Sequence, residues 1–213
     1  MQTLDFQKLS VEIHQNAKAK GFWDSQRNVG ELFMLIVSEL GEALEAHRKG
    51  RFANIKEFNE RISKSKIINN HAYAGTVAPD RTYAANFRSC IKDTFEDEIA
   101  DTVIRILDYV GWRGDLKIDL YYYKSSVDMH LFSKNIGEIL IEITFEVCNA
   151  SQYARMHTLG LTKRYVTSLE EKINAALIML VKLSEQCGFD LSRHIEAKMK
   201  YNSTRERLHG KSY

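Results

Sequence analysis

Two pairs of acids stand three residues apart in this chain: Glu39 and Glu42 within SELGEALEA, and Glu98 and Asp101 within FEDEIAD. Residues three apart on a helix point the same way, so each pair forms a two-pronged acidic claw if its segment is helical. Both segments read as helix. Ahead of the first pair, Leu32, Leu35 and Ile36 recur at spacings of three and four, and extending that stripe lands on Glu39, then on Glu42 and Ala43. Glu98 and Asp101 stand beside a stripe of Ile91, Phe95, Thr102 and Ile106. A buried ionised carboxylate without a partner is costly enough to protonate instead, and four facing one another repel. A divalent cation resolves both problems, and oxygen ligands are what magnesium or manganese prefers. Acids at this spacing are also common on solvated helix faces. Two pairs on helices with like stripes argue against that alternative. A di-iron bundle would need Glu-x-x-His from two helices, and only Glu206 with His209 has that spacing.

A second set of groups complements the acids. The stretch KMKYNSTRERLHGKSY holds Lys198, Lys200, Arg205, Arg207, His209 and Lys211 against a single acid, Glu206. A bare basic terminus is usually a solvated tail. Here Tyr201, Asn202 and Gly210 are interleaved, and a polyphosphate held by a metal cage still needs cations for its remaining charge. Trp23, flanked by loop residues, could stack on a base or simply fill the core.

The elements that must position these groups are helical. One proline and 11 glycines in 213 residues leave long stretches without a breaker. With 27% charged and 44% hydrophobic residues the composition is that of an ordinary globular protein, and a net charge of +2 gives no case for binding polymeric nucleic acid. Cys90, Cys148 and Cys187 fit neither a disulfide framework nor a zinc motif, which points to a reducing, cytoplasmic compartment. No run of about 18 apolar residues suggests a membrane span, and MQTLDFQKLSVEIHQ does not read as a signal peptide. Helices are expected over about 4 to 20, over 29 to 49, and from a Thr94-x-x-Asp97 start resembling a capping box to around Gly111–Gly114; 67 to 86, with Asn, Gly and Pro together, reads as loop.

The second half of the chain echoes the first. VGELFMLIVSELGEALEA (29 to 46) aligns without a gap on IGEILIEITFEVCNASQY (136 to 153), and TFEDEIADTVIRILDYV (94 to 110) on SLEEKINAALIMLVKLS (168 to 184). Glu39 then falls on Glu146, but Glu42 falls on Asn149, Glu98 on Lys172 and Asp101 on Ala175. The expectation is a duplication: 1–120 the working repeat, 121–193 a degenerate one, and 194–213 a basic tail completing the site. In the degenerate half Lys172 would stand in for the ion by pairing with Glu146.

Taken together, HQNAKAKGFWD, SELGEALEAHRKG, FEDEIADTVIRILDYVG and KMKYNSTRERLHGK resemble the MazG-like, all-α nucleoside triphosphate pyrophosphohydrolases, a superfamily that includes dimeric dUTPases and dCTP pyrophosphatases. The resemblance implies an all-α bundle that hydrolyses a nucleoside triphosphate to monophosphate and pyrophosphate, and it leaves room for a homodimer. It implies that Glu39, Glu42, Glu98 and Asp101 hold Mg2+ (or Mn2+), that His14 and Trp23 face the base, and that Lys198, Asn202, Arg205 and Lys211 face the phosphates. The sequence departs from the pattern in two places. The acidic pairs are separated by an insertion around 52–92, read as surface decoration or as a basic lid over phosphates. Where some relatives carry a further acid as base, this chain has Ser38. A nucleotide-binding regulator with little turnover is the alternative.

Overall fold

The computed structural model describes residues 5–71, 79–128, 135–158 and 164–210. Among these it is all-helical, with no strand: α1 (Phe6–Ala19), α2 (Val29–Arg48), α3 (Ile55–His71), α4 (Pro79–Cys90), α5 (Phe95–Arg113), α6 (Ile136–Thr158), α7 (Arg164–Cys187) and α8 (Leu191–Thr204). No helix among the described residues is long and apolar enough to cross a membrane.

Local chemistry sets the starts and stops. The Asp5 carboxylate accepts from the Lys8 amide to open α1, and Asn28 accepts from Gly30 and Glu31 to open α2. Thr94 caps α5 through the Asp97 amide, but the return bond of the expected capping box is shifted. Asp97 accepts from the amide of Asp93 rather than from that of Thr94. Gly114, left-handed at φ 67°, ends α5.

Helix α5 is the hub. It is buried nearly all round, from Phe95 to Val110, and packs against α1, α2, α7 and α8. Helices α6 and α7 pack on each other, and α6 also packs on α2. Where α1 crosses α5 the approach is close. A Cβ added to Gly111 would lie 2.3 Å from the Ser10 carbonyl oxygen and 2.7 Å from the Cβ of His14. Gly111→Ala therefore has to push two helices apart, and a loss of about 2–3 kcal/mol in urea unfolding is expected. An unchanged midpoint would show that the crossing has slack.

The segment read as loop over 67–86 is corrected by the structure. α3 continues to His71 and α4 begins at Pro79, while 72–78 lie outside the described residues. Pro79 stands at the first helical position, where its missing N–H is not needed and its fixed φ suits the helix, so it starts an element rather than breaking one. Nor are the described parts of 52–92 mere decoration. Phe58, Tyr83, Phe87, Cys90 and Ile91 form a second buried cluster with Ala197 and Tyr201 of α8, in which Phe87 and Tyr201 stack with centroids 4.4 Å apart. The Tyr83 hydroxyl donates to the Ala197 carbonyl at 3.1 Å. The hairpin of α3 and α4 thus seats α8 against α5.

In the second half, Lys172 Nζ of α7 lies 3.2 Å from Glu146 Oε2 of α6, the contact expected from the alignment.

Candidate functional site

The two acidic claws do not lie on the centre of the buried face. On α2 the core stripe is Phe33, Ile36, Leu40, Ala43 and Ala46, one residue round from the stripe read in the sequence. Leu32, Leu35, Glu39 and Glu42, spaced by three, four and three, instead line a cavity of about 550 Å³. On α5 the same spacing runs through Glu98, Asp101, Arg105 and Asp108, and all four line the same cavity. The acidic end of one helix face therefore shares a hollow with a charged face of the other.

Carboxylate oxygens of Glu39, Glu98 and Asp101 all lie within 4.8 Å of one another. Hard-cation bonds of about 2.0–2.6 Å place opposite ligands about 4–5 Å apart, so the three fit a single ion of that kind. Glu42 is exposed on the wall of the same cavity and is not part of this three-oxygen cluster. Two of the three acids have cationic partners. Arg105 Nε donates to Glu39 Oε1, and Lys198 Nζ lies 2.7 Å from Asp101 Oδ2 and 2.8 Å from Asp97 Oδ2. Burial alone would lower the Lys198 ammonium, but Asp101 and Asp97 overcome it and hold it above its ordinary range. Glu98 is 4% exposed and carries no hydrogen bond or ion pair on its carboxylate among the described residues. Burial, then the charge of Asp97, pushes it up to about 9. Burial likewise raises Glu39, against the pull of Arg105.

Beyond the carboxylates the wall becomes aromatic. Trp23, half-buried on the loop after α1, lines the cavity and stacks on Trp112 of α5 with centroids 5.1 Å apart. Its Nε1 donates to both oxygens of Asp108 at 3.0 and 3.1 Å, and His14 Nδ1 meets Asp108 Oδ1 at 2.8 Å. His14 stands edge-on to Trp23 and does not itself line the cavity. Ser38 is exposed, hydrogen-bonded to its own helix, and lies off the cavity wall.

The far rim is basic and comes from both ends of the chain. Lys198, Asn202 and Arg205 line the cavity together with Lys20, Arg27 and Lys92. Arg27 Nε and Asn202 Oδ1 are buried there without a hydrogen-bond partner among the described residues. The segment after α8 is folded back on the loop after α1. The Leu208 amide donates to the Lys20 carbonyl at 2.8 Å, Arg207 pairs with Asp24, and Lys20 Nζ donates to the Ser203 carbonyl at 2.8 Å. Lys211 lies outside the described residues.

Sequence reasoning passed over Asp97, Arg105 and Asp108. For the last two the signal was present, since they continue the spacing of Glu98 and Asp101 along α5. Asp97 had been read only as a cap. Comparison of the chain with protein-family models, with curated proteins and with solved structures finds no match.

Proposed function

We propose that this protein is a magnesium-dependent nucleoside triphosphate pyrophosphohydrolase of the MazG-like kind, releasing pyrophosphate and a monophosphate. The observation that carries the reading is the polarity of one cavity: three carboxylates within 4.8 Å of each other at its base, a basic rim, and an indole on its wall. Glu39, Glu98 and Asp101 would hold the metal, with Glu42 within the same wall. When bound, the metal supplies charge neutralisation and a water acidic enough to act as nucleophile near neutral pH. Lys198, Arg205 and Asn202 would orient the triphosphate, adding charge-assisted hydrogen bonds to its oxygens. Trp23, held in its plane by Asp108 and Trp112, offers a flat apolar surface for a base.

The duplication belongs to the same reading. The helices it makes equivalent, α2 with α6 and α5 with α7, pack on each other, as repeats related by a two-fold would. The Glu146–Lys172 contact replaces an ion in the second half.

The alternative, a nucleotide-binding regulator with little turnover, draws on one observation: Glu39 and Asp101 are already paired with cations of the chain itself. Incubation with a panel of ribo- and deoxyribonucleoside triphosphates and magnesium separates the two. Pyrophosphate and monophosphate in equal amounts, abolished by chelator, are expected. Binding without pyrophosphate release from any member of the panel would leave the regulator.

A further inference from the structure

The cavity pairs two of its acids with cations that line the same wall. Arg105 uses one of its five N–H groups on Glu39, and its terminal nitrogens carry no hydrogen bond among the described residues. Lys198 divides its ammonium between Asp101, a member of the carboxylate cluster, and Asp97, which is not a member. A divalent cation placed among Glu39, Glu98 and Asp101 competes with both for the same carboxylates. With a dication added, two cations left in position would repel it at close range in a partly desolvated hollow.

We propose that Arg105 and Lys198 are exchangeable counter-ions, which hold Glu39 and Asp101 in the metal-free protein and pass to the triphosphate once a divalent cation takes the carboxylates. The inference rests on reading the cavity as a metal–triphosphate site. It adds Arg105 to the phosphate-binding groups and gives Asp97 a positioning role. Asp97 is 1% exposed and bonded to the Asp93 amide, so it tethers the ammonium when Asp101 is withdrawn. Asp108, three residues further along α5, lines the same cavity with its oxygens held by Trp23 and His14. Lys198 thus has one carboxylate to surrender and one to keep, while Arg105 has terminal nitrogens that carry no hydrogen bond among the described residues.

The test is metal binding in the absence of nucleotide, by calorimetry with magnesium and by electron paramagnetic resonance with manganese. The full chain is compared with Arg105→Met and with the double variant Asp97→Asn/Lys198→Met, which removes the tether and the cation together. Each variant is expected to bind metal alone about three- to tenfold more tightly, because the competitor for its carboxylate has gone. Inorganic tripolyphosphate at saturating metal should bind each variant about tenfold or more weakly. Opposite signs in the two titrations are the signature, because a residue with a purely structural role loses both affinities together. Metal affinity that is unchanged or weaker in both variants overturns the exchange, and a gain in only one overturns it for the other residue. Absence of metal binding to the wild type overturns the site reading itself, a different failure. If either variant does not fold, the wild-type protein still decides the matter by NMR. The Arg105 Nε–H resonance, held by Glu39, should shift and lose exchange protection as magnesium saturates. A resonance that stays fixed while the metal binds refutes the exchange.

Discussion

Glu98→Gln is expected to abolish the proposed turnover, by about 10³-fold or more, and to yield a protein more resistant to urea at alkaline pH than the wild type. Both effects come from one position. Glu98 is the member of the carboxylate cluster that no cation of the chain neutralises, so a divalent ion has most to gain there. In metal-free protein its carboxyl sits at about 9 against 4.5 when unperturbed, because burial and Asp97 disfavour its charge. A folded pKa raised above the unfolded one means that the native state binds the extra proton. The stabilisation is full below about pH 4.5 and is lost as pH rises to about 9, with a slope set by the difference in bound protons. Glutamine, neutral throughout, removes that loss. Without metal the variant should match the wild type near pH 4.5 and exceed it by on the order of a few kcal/mol at pH 8–9. Urea midpoints across this range read the sign, and steady-state pyrophosphate release reads the activity. Retention of more than about a tenth of the activity would remove Glu98 from the metal site.

Lys198→Ala should be the most damaging single change to the fold. Lys198 is 5% exposed and its ammonium lies between two aspartates, one of them 1% exposed with its second oxygen already lacking a hydrogen bond. Removing one member of such a buried set strands the remaining charges and costs about 3–5 kcal/mol. Adding Asp97→Asn should recover part of the loss, because the stranded charge is then removed, and the double-mutant cycle isolates the coupling. A single-variant loss below about 1 kcal/mol would mean that water reaches Asp97 and that the pair is not structural.

What the sequence disclosed follows the reach of helical periodicity. The starts of α2 and α5 and the two acidic pairs were legible because cap and stripe act within one element. The face they turn to was misjudged by one residue on α2. Ile36 belongs both to the stripe read from Leu32 and Leu35 and to the true core stripe through Phe33 and Leu40, and only the packing of α5 and α6 tells them apart. Lys198 was assigned to a tail because its neighbours are basic. Yet it lies in register with Leu191, Ile195 and Tyr201, so a cation stood on a core-facing position. The partners Asp97 and Asp101 were not legible, since they lie about a hundred residues away and depend on α8 being seated by the hairpin of α3 and α4. Trp23 was ambiguous for a like reason: its neighbour Trp112 and its acceptor Asp108 belong to another helix.

The closure of the basic rim by the last described helix has a consequence for biosynthesis. Lys198 reaches Asp97 across 101 residues and Arg207 reaches Asp24 across 183, so these contacts close long loops. Helices α1, α2 and α5 leave the ribosome long before α8 does, and for that interval the nascent chain exposes an acid cluster with Arg105 as its one counter-ion from within α5. A domain with this topology acquires its site last, after the non-local contacts form. A fragment truncated before α8 has the carboxylates but lacks Lys198, Asn202 and Arg205, the groups proposed to take the phosphates.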